Sequence, residues 1–437
     1  MDVHSWRGHF PSDKSTTFEI KVTFAPRSNP DECEQQIRVE LAGRQRFLDE
    51  EDNYVPALHA NPKSDRRWQH KSMSQRSTPQ SADSHCDDVD RKIVADVRDL
   101  KIRFRRADDT VYAVNGVSFQ VKAHEKIAFV GESGCGKTVT GLSLLGLLPK
   151  SATLSGTIEI NGRNLLSLSK DELRDVRGRE VAAVFQDPMT SLNPVLTIGE
   201  QLNETLSAHA KIGRRDARVR SAELLQLVGI SGGSERLKSF PHQLSGGMRQ
   251  RVMIAMAIAM KPAILVADEP TTALDVTTQA LVLEQLCNLT EEFDTSLVLI
   301  THDLSVVARI VDRVIVMYAG FIVESAPSIP LYRTPAHPYT VGLLNSVPRL
   351  GGNATTYRPI EGSLPDARVE PHGCPFEQRC AWRLAKCKEE MPALKPHGGS
   401  VNHLVACHNP VLPTEIRLGR PEERLRRTST TNMTEEI

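Results

Sequence analysis

An apolar run, Lys126–Val130, leads straight into Gly131-Glu132-Ser133-Gly134-Cys135-Gly136-Lys137-Thr138, and this junction constrains the chain more than any other feature. Glycines let successive backbone N–H groups turn towards one centre, and a helix starting at the end of the loop adds its own unpaired amides. Such a loop gathers phosphate oxygens. Gly131, Ser133, Gly134, Cys135 and Gly136 form the cradle. Lys137 is placed to reach the β- and γ-phosphates and the Thr138 hydroxyl to bind Mg²⁺.

The surrounding pattern fits a strand–loop–helix unit within a larger α/β domain. Strands are expected at residues 97–103, 113–121, 126–130 and 156–160, the last turning at Asn161-Gly162. A helix is expected over 138–148, helical character over 200–228, and a longer helix from Ser245 to Met260. Two apolar strands, 264–267 and 296–300, flank a helix at 277–291, as in a mostly parallel sheet covered by helices.

Three more motifs follow the loop in order. Asp268 and Glu269 end the apolar strand in Ile-Leu-Val-Ala-Asp-Glu-Pro, where one carboxylate can orient Mg²⁺ and the next can polarise an attacking water. Leu-Ser-Gly-Gly-Met-Arg-Gln-Arg spans residues 244–251, and His302 lies in Leu-Ile-Thr-His-Asp. Together these motifs resemble the ATP-binding cassette (ABC) transporter ATPases. The resemblance implies an ABC-type P-loop ATPase with a RecA-like core, an antiparallel β subdomain and a helical subdomain.

It further implies that Gln186 senses Mg²⁺ or water and relays the nucleotide state, and that His302 contacts the γ-phosphate. Ser245, Gly246 and Gly247 would close over ATP held by a facing cassette. Phe104 occupies the position where the family stacks an aromatic ring on adenine; the alternative for a phenylalanine there is a strand core position. One departure is His124-Glu125, where the family commonly has Gly-Glu, and a local backbone adjustment without loss of hydrolysis is expected.

Residues 184–202 and Pro-Ala-His-Pro-Tyr-Thr-Val-Gly-Leu-Leu at 335–344 are similar to the ATPase subunits of oligopeptide and dipeptide importers, a family that also includes nickel and glutathione systems. The implied activity is ATP hydrolysis coupled to peptide uptake. The implied partners are a second ATPase subunit, two transmembrane permeases and, indirectly, a solute-binding protein. The implied place is the cytoplasmic face of the inner membrane, with the chain peripheral. The rival readings are an exporter ATPase and a soluble cassette acting in DNA repair or translation.

Composition bears on those rivals. The 54 basic and 54 acidic residues balance, which offers no electrostatic case for nucleic acid. The apolar run from Val252 to Met260 is nine residues, against about 20 for a membrane-spanning helix. No signal-peptide pattern opens the chain.

Four of the eight cysteines gather late as Cys374-x5-Cys380-x6-Cys387-x19-Cys407. The spacing is not that of a zinc ribbon. Four thiolates can hold an iron–sulfur cluster, another metal can take their place, or the cysteines can pack as small apolar groups. The resemblance to peptide-importer ATPases implies that Cys374, Cys380, Cys387 and Cys407 are [4Fe–4S] ligands in a small C-terminal module. The expected organisation is thus a mostly disordered arm at 1–90, with a strand near 18–24 and a helix near 32–47. The ATPase domain follows at 91–345, the cysteine-rich module at 346–410 and a flexible tail at 411–437.

Overall fold

The computed structural model describes residues 3–10, 13–24, 37–41, 91–105, 109–186, 191–271, 276–346 and 360–412, and divides the chain into Met1–Ser81 and Ala82–Ile437. In the first unit, β1 (Val3–Phe10), β2 (Asp13–Phe24) and β3 (Ile37–Leu41) form an antiparallel sheet in the order β1-β2-β3. Residues 37–41 are a strand where a helix near 32–47 was expected, and the rest of that range lies outside the described residues. Phe18, Ile20, Val22 and Phe24 alternate with polar residues, as do Ile37, Val39 and Leu41, and period two is the strand signature. The rest of the arm and the tail from 413 onwards lie outside the described residues.

The second unit carries two sheets. β4 (Ile93–Arg105), β5 (Thr110–Lys122), β7 (Ala152–Ile160) and β8 (Arg163–Asn164) make an antiparallel sheet in the order β5-β4-β7-β8. Asn161 and Gly162 both take positive φ, 47° and 80°, which suits the tight turn between β7 and β8. The larger sheet runs β14-β15-β13-β12-β6-β11-β10-β9. Here β6 is Lys126–Val130, β9 Val181–Val184, β10 Ile264–Asp268, β11 Ser296–Ile300, β12 Arg313–Tyr318, β13 Phe321–Pro327, β14 Lys395–His397 and β15 Ser400–Val405.

Strands β12, β6, β11, β10 and β9 are parallel. Every residue of β10 and β11 is buried, as required of strands covered on both faces. Helix Lys137–Leu144 packs on this sheet, and Gly141 lets it approach: a Cβ there would meet Ile300 Cδ1 at 2.4 Å. The helical stretch expected over 200–228 is two helices, Ile198–His209 and Arg214–Leu227. A capping box between Thr197 and Glu200 starts the first. His124 takes φ 61°, the left-handed backbone that glycine would adopt without cost. The adjacent Glu125 is buried and receives Arg313 Nε at 2.8 Å.

The C-terminal region is not set apart from the ATPase. Hairpin β14–β15 pairs with β13 through Glu324 and Ser325 and so extends the ATPase sheet. Glu324, fully buried, fastens the join: it accepts the N–H groups of Ala336 (2.8 Å) and His337 (2.9 Å) and pairs with His403 of β15 at 2.7 Å. Among the described residues no helix is long and apolar enough to cross a membrane.

Candidate functional site

The glycine-rich loop leaves the carboxyl end of β6 and opens helix Lys137–Leu144. Gly131 has φ 150°, and a Cβ there would sit 2.2 Å from the Met317 carbonyl oxygen, so no larger residue fits without moving β12. Gly136 caps the helix in the left-handed region at φ 102°. Lys137 is buried, and its Nζ donates to the carbonyls of Gly131 at 2.8 Å and Glu132 at 3.0 Å. Cys135 is fully buried beneath the loop, and burial pushes its thiol above the ordinary range. Its contribution towards the cavity is therefore backbone.

The loop borders a cavity of about 830 Å³ whose walls include Ser133, Lys137, Thr138, Gln186 and Glu269. Thr138 Oγ1 donates to Asp268 Oδ1 at 3.1 Å. Burial raises the Asp268 pKa, opposed by the Thr138 hydrogen bond, while Glu269 adds to the rise. This oxygen pair has the hard donor chemistry that suits Mg²⁺.

Glu269 follows β10 at φ 44°, and its N–H donates to the Ile300 carbonyl at 2.8 Å. Two separate segments reach its carboxylate. Gln186 Nε2 donates to Oε2 at 3.1 Å, and His302 Nδ1 lies 3.0 Å from Oε1. Residues 83 and 33 positions away in sequence thus meet on one carboxylate at the edge of the phosphate loop.

Ser245 caps helix Gly246–Ile258 by accepting the Met248 N–H at 3.3 Å. Ser245 is exposed, and neither it nor Gly246 nor Gly247 lines the cavity. The signature therefore presents its serine and the start of its helix elsewhere on the surface.

Phe104 is not brought to the cavity. It pairs with Val111 and Ala152 and packs against the apolar core of the antiparallel sheet. The aromatic ring at the cavity wall is Tyr112, with the Arg103 guanidinium 4.5 Å from its centre. Of the two places open to Phe104, this structure has the strand core position, partly buried. Tyr112→Ala is expected to raise the KM for ATP about tenfold, from lost stacking worth about 1–3 kcal/mol per base. A KM within twofold of wild type in steady-state hydrolysis would remove Tyr112 from the site.

The opposite wall comes from the C-terminal region, which the sequence had suggested as a separate module. Leu364, Ala367, His372 and Glu377 line the cavity, and Ala367 accepts the Tyr112 N–H at 2.7 Å.

Among the described residues, no group of three or more His, Cys, Asp or Glu side chains is placed to hold a metal ion. Metal ligation by Cys374, Cys380, Cys387 and Cys407 is thus not reproduced as a single-ion site. Their surroundings are nonetheless specific. Leu384 N–H donates to Cys387 Sγ at 3.4 Å and Asn409 N–H to Cys407 Sγ at 3.3 Å. The Glu377 N–H donates to the Cys374 carbonyl at 3.0 Å. Burial pushes the Cys380 and Cys407 thiols up to about 12, so as bare thiols they stay protonated. Trp382 Nε1 is buried with no acceptor. Amide donors aimed at the Cys387 and Cys407 sulfurs are compatible with a group that brings negative sulfur.

Comparison with known proteins agrees with this geometry. The family described as ABC transporter matches residues 114–272, and the oligopeptide/dipeptide transporter C-terminal region matches residues 323–387. A probable peptide ABC transporter ATP-binding protein of Sinorhizobium fredii is 48% identical over 318 residues, which is 72% of this chain and 94% of the relative. An oligopeptide transport ATP-binding protein of Bacillus subtilis is 48% identical over 304 residues, 69% and 93% of the two chains. The oligopeptide transport ATP-binding protein of Escherichia coli is 44% identical over 315 residues, 72% and 93%.

Proposed function

The chain belongs to the ATP-binding subunits of the oligopeptide/dipeptide ABC transporter family, and from that premise we propose how it works as an importer's engine. It hydrolyses ATP and couples binding and hydrolysis to the uptake of oligopeptides or dipeptides through partner permeases. The observation that carries this reading is the meeting of Gln186 and His302 on Glu269 beside the phosphate loop.

The geometry supports the following roles. The Lys137 ammonium rests on two loop carbonyls, which phosphate oxygens replace as acceptors when ATP enters. Thr138 and Asp268, with Gln186, would hold Mg²⁺, whose charge would offset that of the phosphates. Glu269 orients the attacking water and takes its proton, and His302 fixes the carboxylate and reaches the γ-phosphate. Because Ser245, Gly246 and Gly247 stand outside the cavity of their own chain, they act on ATP held by a second ATPase subunit. Closure and release of that pair is the stroke delivered to the permeases.

This function predicts co-purification. A tagged chain taken from detergent-solubilised native membranes should bring two permeases, a paired ATPase and, more weakly, a solute-binding protein. Recovery with repair or ribosomal proteins alone would overturn the transport reading.

For Cys374, Cys380, Cys387 and Cys407 the reading is a [4Fe–4S] cluster, supported by the amide-to-sulfur bonds. Protein purified without oxygen should contain about four iron and four sulfide per chain. Neither element after anaerobic handling would leave four packed thiols instead.

A further inference from the structure

Glu132 is the only acidic residue in the phosphate loop, a negative charge within a structure that gathers a polyanion. Three of its groups are held by other parts of the chain. Its N–H donates to Tyr339 Oη at 2.8 Å, and its carbonyl accepts Lys137 Nζ at 3.0 Å. Its carboxylate takes two bonds from Arg379, Nη1 to Oε2 at 2.8 Å and Nη2 to Oε1 at 3.0 Å.

Arg379 belongs to the short turn Glu377–Arg379, between Cys374 and Cys380. Its side chain is only 6% exposed. The remaining N–H groups are spoken for: Nε donates to the Glu361 carbonyl at 2.9 Å, and Nη2 also reaches the Ile360 carbonyl at 3.1 Å. The guanidinium stands 5.7 Å from the centre of the Tyr318 ring and 6.0 Å from that of Phe376. A planar cation fixed on so many sides delivers its charge to one place.

We propose that Arg379 is a positioning residue for ATP, which neutralises and orients Glu132 so that the cysteine-bearing segment completes the phosphate site of its own chain. The inference rests on the reading of residues 131–138 as the ATP site. Without Arg379 the Glu132 carboxylate, whose side chain is 28% exposed, is left unpaired within the phosphate loop and repels the incoming phosphates. Without the Glu132 charge, Arg379 adds to the attraction. The two substitutions therefore act in opposite directions on ATP binding, and the second relieves the first. A purely structural role for Arg379 lacks that signature.

The test uses the full chain, with steady-state ATP hydrolysis and equilibrium binding of a fluorescent ATP analogue. Arg379→Met should raise the KM for ATP about tenfold while kcat moves less than about threefold. Glu132→Gln alone should lower KM about threefold, and Arg379→Met with Glu132→Gln should return most of the way to wild type. Arg379→Lys keeps the charge without the fork and should fall between wild type and Met. An unchanged KM in Arg379→Met, or a raised KM that Glu132→Gln does not relieve, overturns the proposal. If Arg379→Met does not fold, a wild-type KM in both Glu132→Gln and Arg379→Lys overturns it equally. A wild-type chain that binds no ATP would instead overturn the underlying nucleotide reading.

Discussion

Glu269→Gln should stop hydrolysis while leaving ATP binding intact, with kcat falling by about 10³-fold. The size follows from general-base catalysis, which contributes about 10²–10⁴-fold when a positioned group takes the proton. The substitution is isosteric. Glutamine keeps an oxygen for either Gln186 Nε2 at 3.1 Å or His302 Nδ1 at 3.0 Å, and the strained backbone at φ 44° is untouched. Only the basic oxygen pair is lost. The phosphate cradle sits on other residues, so affinity for a fluorescent ATP analogue should stay within about threefold of wild type. With closure still driven by ATP and release blocked, the variant should also accumulate as an ATP-dependent dimer in size-exclusion chromatography. Single-turnover hydrolysis within tenfold of wild type would remove Glu269 from the role of base.

Lys137→Ala acts at the other end of the reaction and should abolish tight ATP binding. The Lys137 ammonium is buried and, among the described residues, hydrogen-bonds to groups of the loop itself, the Gly131 and Glu132 carbonyls and, at 3.8 Å, the Cys135 sulfur. Its charge is available to the phosphates at the cost of two neutral hydrogen bonds. Charge-assisted bonds are about twice as strong as neutral ones, and a loss of about 3 kcal/mol would weaken binding roughly 100-fold. Unlike Glu269→Gln, this variant should form no ATP-dependent dimer. Nucleotide affinity within threefold of wild type would show that the cradle amides alone hold the phosphates. The two variants separate binding from chemistry and are best measured together.

Much of the nucleotide site was legible because its chemistry is local. A strand, a glycine loop and a helix start are contiguous, so residues 131–138 could be placed before any fold was known. Asp268 and Glu269 were legible for the same reason, since they end an apolar strand. The separate roles of Gln186 and His302 rested on resemblance, and their meeting on one carboxylate was not legible, because nothing in either segment records the other. Tyr112 was missed because a strand offers its alternate side chains to opposite faces, and sequence alone does not say which face of β4 or β5 meets the cavity. The shift in pairing register between Ile102 and Arg103 changes that alternation next to Phe104. The largest omission was the C-terminal wall. Pairing of β15 with β13, and of Arg379 with Glu132 across 247 positions, is a property of topology that no local pattern encodes. The N-terminal strands were the opposite case: their alternation was present in the sequence, and polar composition further along the arm obscured it.

The order of strands in the large sheet sets a schedule for synthesis. β6, at residues 126–130, lies between β11 and β12, so the emerging chain must make roughly 170 further residues before β11 can pair with the strand that carries the nucleotide loop. The outer flank of β13 is covered later in synthesis, when residues 400–405 leave the ribosome and β15 pairs with it. A transcript broken between the two would yield a polypeptide with every hydrolytic motif present and an uncovered strand, the template on which other chains add. Protection of this edge thus depends on a strand made after all of the hydrolytic motifs, and a chain stopped between residues 327 and 400 should show itself as an aggregation hazard before it is felt as a missing activity.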